Sequence, residues 1–446
     1  MVRTLDNNVS GNNIVGNDSV GKSAMLTKGG SNWVDGDRFF DREAELEALE
    51  ERVRDGTHTL LTAPRRMGKT SVVRELLRRL ANTVEFETVF VDLEAAMDPA
   101  DAVAEIGVQT RPLQGAWDRI KDGFANALQD VGERFEELAL ADIKVKLRAG
   151  IDAGNWPQRG DAVFSALAMS DRPVVLAVDE LPILINRLLK DDAGLITPKG
   201  RRAADEFLSW LRRNGQTHRD QITMILSGSV GLEPLLEQAG LSAQANIYSA
   251  YDLKPWGEET AVSCLAALAE SYDIRLSPEI CQHMFRRLRC CIPHHVQMYF
   301  DKLHDHLRRT GRQDASIEDV ERVYLHEILG VRGQVDMQHY EGRLGTILGR
   351  TGYPIALEIL TETAVKGRLE GETVDRYRVH FAAGTEDGIP SVEDVLHVLE
   401  HDGYLERQDS GCRFVSGLLE DWWRGRYGGN FGSAVGPERR EGGEGQ

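Results

Sequence analysis

The stretch Thr57-His58-Thr59-Leu60-Leu61-Thr62-Ala63-Pro64-Arg65-Arg66-Met67-Gly68-Lys69-Thr70-Ser71 limits the possible folds more than any other part of the chain. Its apolar start predicts a short strand, and the turn after it follows the pattern Ala-x-x-x-x-Gly-Lys-Thr from Ala63 to Thr70. Val72, Val73, Leu76, Leu77 and Leu80 then recur at helical spacing, with Arg74, Glu75, Arg78 and Arg79 on the outer face. A turn held between a strand and a helix in this way can cradle phosphate. Gly68 lets the backbone close beneath the anion, and the amides that follow converge at a helix N-terminus. Lys69 supplies a point charge to the β- and γ-phosphates of a nucleotide, and the Thr70 hydroxyl is a ligand for Mg²⁺. The expected binding set is Ala63, Pro64, Arg65, Arg66, Met67, Gly68, Lys69, Thr70 and Ser71.

A second match, Gly16-Asn17-Asp18-Ser19-Val20-Gly21-Lys22-Ser23, fits the pattern with glycine first. It lacks the setting. Asn7, Asn8, Asn12 and Asn13 stand where a strand is needed, and Lys28-Gly29-Gly30 stops any helix within a turn. Residues 1–31, rich in Asn, Gly and Ser, are expected to form a disordered arm, and this match is a decoy within it.

Composition narrows the function classes. A formal net charge of −18 over 446 residues argues against a generally basic nucleic-acid binder. No run approaches the ~20 apolar residues of a membrane span, and the polar N-terminus has no signal-peptide core. Five cysteines, with a vicinal pair at Cys290-Cys291 and no CxxC, suit a reducing cytoplasm better than a disulfide framework. The run Cys290-Cys291-Ile292-Pro293-His294-His295 is a poor zinc site, because adjacent helical residues point about 100° apart.

Further strands are expected at 88–93, 172–178, 222–226 and 248–253, with a mostly helical stretch over 98–170. Arg172-Pro173-Val174-Val175-Leu176-Ala177-Val178-Asp179-Glu180 reads as a buried parallel strand whose carboxyl end delivers two acids to a ligand crevice. Asp179 is expected to hold Mg²⁺, and Glu180 to orient and deprotonate an attacking water. Ser227 and Ser229, at the end of the next buried strand, are candidates to sense a γ-phosphate or position that water, and equally to be structural caps. Phe39-Phe40 opens a helix just before the first strand, which makes Phe40 a candidate to flank a base and equally a core residue.

From Glu258 the pattern turns helical, and segment 275–313 is locally basic, with Arg286, Arg287 and Arg289 at its centre. After a linker near 330–345, a last domain is expected over 340–427. Its helices lie near Ile355–Leu360, Thr373–Phe381 and Ser391–His401, followed by a hairpin from Gly403 to Val415 and a closing helix bearing Trp422-Trp423. Three helices and a β-wing make a winged-helix arrangement. A Gly- and Glu-rich tail, 428–446, follows.

The chain resembles the prokaryotic archaeal-type ATPases, a branch of the P-loop fold near the AAA+ and signal-transduction (STAND) ATPases. The likeness rests on Phe40-Asp41-Arg42-Glu43-Ala44-Glu45-Leu46, Pro64-Arg65-Arg66-Met67-Gly68-Lys69-Thr70-Ser71 and Val178-Asp179-Glu180-Leu181-Pro182. It rests further on Ser227-Gly228-Ser229, Glu400-His401-Asp402-Gly403-Tyr404-Leu405 and Trp422-Trp423. The resemblance implies an α/β fold: a five-stranded parallel core over 32–254 that binds ATP, a helical lid over 255–330, and a C-terminal winged helix. It also implies a nucleotide-contacting lid motif of Gly-x-Pro type, here Cys291-Ile292-Pro293 with Cys in place of Gly. The expected cofactors are ATP and Mg²⁺.

Three functions compete: a nucleotide-driven conformational switch acting through a protein partner or self-association, an ATP-controlled DNA-binding regulator, and a scaffold that hydrolyses nothing. Glu180 speaks against the scaffold. Ser391–His401 carries Glu393, Asp394 and Glu400 and no Lys or Arg, which favours the switch over DNA.

Overall fold

The computed structural model describes residues 25–29, 33–124, 139–192, 194–330, 333–382, 390–408 and 411–435. The second phosphate-loop match, Gly16 to Ser23, lies outside the described residues. Five strands form one parallel sheet: β1 (Thr59–Thr62), β2 (Glu87–Asp92), β3 (Val174–Asp179), β4 (Ile222–Ser227) and β5 (Ser249–Asp252). Their order is β2-β3-β4-β1-β5, so β4 stands between the strand of the phosphate loop and the strand of the acid pair. β3 and β4 are buried along their whole length, as their near-continuous apolar runs require.

The period-two alternation of the strands divides the core. Leu61, Val175, Ala177 and Ile225 pack against α1 (Glu43–Arg54) and α2 (Lys69–Asn82). Leu60, Leu176, Val178 and Leu226 face the other layer. That layer holds α3 (Pro99–Gln109), α4 (Gln114–Gly123), α5 (Leu140–Ala149), α6 (Trp156–Ala168), α7 (Leu181–Leu189), α8 (Pro198–Thr217) and α9 (Leu232–Gln238). Trp156, Phe164, Phe207 and Trp210 fill it with edge-on and tilted aromatic contacts at 5.3–5.8 Å.

Beyond the sheet come α10 (Glu258–Ser271), α11 (Pro278–Leu288), α12 (Pro293–Thr310) and α13 (Ile317–Val323). A long helix, α14 (Gln334–Lys366), follows and is broken at Gly349, whose φ of 64° and ψ of −165° are not helical. Then β6 (Leu369–Glu370), α15 (Gly371–Ala382), α16 (Val392–His401), β7 (Leu405–Gln408), β8 (Gly411–Phe414) and α17 (Gly417–Tyr427) close the fold. The small sheet is antiparallel in the order β6-β8-β7. Ser391 and Asp394 form the capping box that starts α16.

Three expectations from sequence are revised here. The supposed linker near 330–345 is largely the first limb of α14, which packs Met337, Tyr340 and Leu344 into the core. Residues 25–29, counted with the arm, lie against α10 and α12. Leu26 is buried, the Lys28 amide donates to the Tyr272 hydroxyl at 3.1 Å, and the Lys28 ammonium pairs with Asp301. The first residues of the tail also pack, with the Ser433 hydroxyl donating to Glu362 at 2.7 Å and Val435 buried. Composition hid all three, because a few apolar or charged anchors suffice to hold a polar segment. The helical region and the C-terminal module share one continuous apolar cluster, which runs from Leu265 and Phe285 to Tyr404 and Trp423.

Candidate nucleotide site

The carboxyl ends of β1, β3 and β4 open into a cleft of about 280 Å³. Arg65 to Ser71, Asp179, Glu180, Ser229 and Pro293 all line it, so residues far apart in the chain meet at one cleft. Gly68 makes the turn at φ 87°, a left-handed conformation costly for other residues, and α2 starts at the next residue. Lys69 is only 7% exposed, and its Nζ donates to the carbonyls of Ala63 at 2.5 Å and Pro64 at 3.1 Å. Burial lowers its pKa to about 8, against the opposing pull of Glu180, Asp402 and Asp179. A buried ammonium whose hydrogen-bond partners are carbonyls is poised for an anion.

The acids at the end of β3 are held differently. Asp179 accepts from the Thr70 hydroxyl at 2.6 Å, the Ser227 hydroxyl at 2.7 Å and the Glu180 amide at 3.0 Å. Thr70 and Asp179 thus place two hard oxygens side by side at the mouth of the loop, a donor pair that fits Mg²⁺. Glu180 sits at φ 56°, an unusual conformation for a non-glycine residue, which turns its side chain toward β4. There its Oε2 accepts from the Ser229 amide at 3.0 Å and the Ser229 hydroxyl at 2.9 Å. Burial raises the Glu180 pKa, and the Arg343 guanidinium pulls it back.

Four expected residues lie apart from the cleft lining. Phe40 packs edge-on against Trp256 at 5.9 Å, in the apolar cluster of the helical region. Ser227 is 1% exposed and supports Asp179 from behind. Ala63 and Pro64 form the rear of the loop and supply the carbonyls that take Lys69. The lid stretch does reach the site: Pro293 begins α12, and the His294 amide donates to the Arg66 carbonyl at 3.4 Å. Trp33 and Val34 stand at the cleft where an aromatic was expected from Phe40. The Val34 amide donates to the Ser71 hydroxyl at 2.9 Å, and the Arg74 guanidinium stacks 3.9 Å over the Trp33 ring.

Sequence reasoning missed a second group, contributed by α14 and the turn after α16. Arg343 is 14% exposed, lies 3.4 Å from Glu180 Oε2, and donates to the Ser229 hydroxyl. Its Nε is buried and meets no acceptor among the described residues. Arg65 donates to the His339 carbonyl at 2.7 Å and stacks on Tyr340 at 5.5 Å. The Gly231 amide donates to Asp402 Oδ1 at 3.2 Å, while Asp402 Oδ2 is buried without a partner among the described residues. Gly403 turns at φ 76° directly against the Pro64 ring, where an added Cβ would collide. The Tyr404 hydroxyl donates to the Tyr340 carbonyl at 2.8 Å. His401 and His397 reach α9, at 3.5 Å from Glu233 and 2.9 Å from Glu237. The turn 401–404 is thereby seated on the phosphate loop.

No protein-family model and no curated protein matches the sequence. Among solved structures, the chain is similar to a Walker-type ATPase of Pyrococcus abyssi, with a TM-score of 0.57 and 17% identity over 88% of this chain and 98% of that one. It is also similar to the Aeropyrum pernix ORC2 protein in ADPNP–ADP complexes, with a TM-score of 0.51 and 13% identity over 87% of this chain and 94% of that one. At such identities the likeness is one of fold. The chain has the α/β P-loop NTPase fold, with its five-stranded parallel sheet. Among the described residues, no helix is long and apolar enough to cross a membrane.

Proposed function

We propose that the chain is an ATP-binding and hydrolysing switch, in which nucleotide state sets how the C-terminal module, a winged helix, sits on the core. The observation that carries this reading is the seating of Asp402, Gly403 and Arg343 on the phosphate loop and the acid pair. Winged-helix character is supported by the order helix, β6, α15, α16, β7, β8 and by the sheet order β6-β8-β7. The fold-level likeness to a Walker-type ATPase, and to a protein solved with ADPNP and ADP, supports the choice of nucleotide.

In this reading the loop amides and Lys69 bind the β- and γ-phosphates, and Lys69 gives up the carbonyls of Ala63 and Pro64 to do so. Thr70 and Asp179 would hold Mg²⁺, which supplies charge neutralisation on the phosphates. Glu180 accepts the proton of the attacking water, a task that its raised pKa suits. Ser227 keeps Asp179 oriented, and Ser229 holds Glu180 until the γ-phosphate arrives. Pro293 and Trp33 border the nucleotide from the lid and the N-terminal side.

The winged helix then acts through intramolecular contact or a protein partner, including a second copy of the chain. A triphosphate brings its added charge next to Asp402 and Glu180, and so favours release of the turn. Size-exclusion chromatography with light scattering and small-angle X-ray scattering, run in ADP and then in a non-hydrolysable ATP analogue, tests the proposal. We expect the analogue to give a larger radius of gyration or a larger assembly. Identical profiles, with both nucleotides bound, would leave a static scaffold.

A further inference from the structure

A second cavity, about 510 Å³, opens one turn further along the first limb of α14. Three parts of the molecule wall it: Lys190, Arg201 and Gln238 from the core, Ile347 and Leu348 from α14, and Asp394 from the start of α16. The break at Gly349 adjoins it, with Gly349 packed against Gly194, another residue of the lining.

The polar groups here lean one way. Lys190 donates to the Ile347 carbonyl, which leaves two N–H groups of its ammonium to spare. Burial lowers its pKa to about 8. Arg201 stands on the first turn of α8, and among the described residues no carboxylate pairs with it. The Gln238 Nε2 donor is buried without a partner among the described residues. The acid on this wall, Asp394, spends one oxygen on the Ser391 amide and hydroxyl, both at 2.8 Å. Two cations and an idle amide donor in a chain of net charge −18 make a local inversion of sign. Apolar Ile347, Leu348 and their neighbours supply the remaining wall, the mixture usual for small-molecule sites of roughly 300–1,000 Å³.

We propose that this cavity binds a small organic anion, a phosphate or carboxylate head on an apolar body, and that the bound anion clamps the C-terminal module to the core. The head meets Lys190, Arg201 and Gln238, and the body lies on Ile347 and Leu348. A ligand that needs all three walls binds only the docked arrangement. At a hundred times its dissociation constant it therefore shifts docking about 100-fold. Binding at the cavity stands independently of the nucleotide reading, whereas its effect on docking rests on that reading.

The test is isothermal titration of phenyl phosphate into the full chain carrying Lys69→Ala, which keeps the nucleotide cleft from competing. We expect one saturable site, with inorganic phosphate at least tenfold weaker. Lys190→Met and Arg201→Ser should each weaken binding at least tenfold. Lys190 caps the end of an α14 limb, so the exposed Arg201→Ser is the decisive variant, and made in the wild-type chain it should leave ATP binding unchanged. Absence of saturable heat, equal binding by Arg201→Ser, or binding seen in wild type and lost with Lys69→Ala would each overturn the site. Failure of wild type to bind ATP, measured in parallel, would instead reject the nucleotide reading.

Discussion

Raising the pH should loosen the C-terminal module from the core, because a protonated histidine bridges them. His401 lies 3.5 Å from Glu233 of α9 and 3.4 Å from Asp402 of its own turn. Burial disfavours the imidazolium, but the hydrogen bonds and charges of Asp402 and Glu233 outweigh it and raise the pKa from 6.5 to about 9. The same bond to His401 lowers the Glu233 pKa, so that carboxylate stays ionised across the range considered. A change of this size corresponds to roughly 3 kcal/mol in favour of the protonated form. Asp402 travels with His401, so only the Glu233 share crosses the interface. About half, ~1.5 kcal/mol, is near tenfold in the docking constant. The sign follows from the raised pKa: the stabilisation is complete below pH 6.5 and fades as pH climbs through about 9. His397 and Glu237 face each other across the same contact, and Lys69, with a pKa of about 8, titrates in the same window. His401→Gln is therefore the reference that subtracts them. Energy transfer between dyes on exposed positions of α8 and α16 reads docking, with mild urea added to bring the population into range. Between pH 6 and pH 9.5 wild type should lose about tenfold more in docking constant than His401→Gln. If His401→Gln keeps the full pH dependence, the bridge is not what holds the module.

Lys69→Ala should abolish nucleotide binding measured with a fluorescent analogue, while deletion of residues 1–24, which removes the Gly16–Ser23 match, should leave it intact. Glu180→Gln should bind ATP normally and hydrolyse it on the order of 10²–10⁴-fold more slowly, and Asp179→Asn should weaken the Mg²⁺-dependent part of binding. Equal turnover in wild type and Glu180→Gln would remove Glu180 from its role. Arg343→Met should cost a non-hydrolysable ATP analogue on the order of tenfold in affinity, the size of a charge-assisted hydrogen bond. ADP should be indifferent to it, and an equal loss for both nucleotides would mean that Arg343 is only structural.

The parts of the site that could be read in advance are those in which chemistry and local periodicity coincide. The phosphate loop lies between an apolar strand and an apolar helical stripe, and Asp179-Glu180 ends an unbroken apolar run, so a single window of sequence carries both type and position. Arg343 had no such window. It is one arginine in a stretch punctuated by Gly330, Gly333, Gly342 and Gly345, and its partner Glu180 is 163 residues away. Trp33 was masked by the polar composition around it, and the more conspicuous Phe39-Phe40 drew the base-flanking role. Phe40 could not have been excluded locally, because Trp256, the ring that claims it, belongs to a different region of the chain. The departure of Cys291 from the Gly-x-Pro pattern proved harmless to position. Pro293 still starts α12 at the cleft, since proline at a helix's first turn needs no glycine before it.

The proposed winged helix poses the sharper question, because the same fold can grip a duplex or another protein. The helix that would enter a major groove is α16, and its outer histidines are engaged with Glu237 and Glu233 of α9. Releasing it would expose Glu393, Asp394, Glu400 and Asp402 with no Lys or Arg among them. The wing offers no surplus of positive charge: Arg407 pairs with Glu400 at 3.0 Å, and Arg413 pairs with Glu406. The basic stretch of the helical region is largely spent as well, with Arg287 on Glu321 at 2.5 Å and Arg289 on Glu420. Phosphate neutralisation, which supplies most non-specific affinity for DNA, therefore has few free cations to draw on. The polar residues of α16 are histidines and acids, a set that fits a protein partner better than a duplex. Full-length protein with a non-hydrolysable ATP analogue should accordingly leave a fluorescent duplex unbound at physiological salt. Binding whose logarithm falls steeply with the logarithm of salt concentration would reverse this assignment. Loss of that binding on reversing Arg286, Arg287 and Arg289 would place the contact on α11 and the turn that follows it.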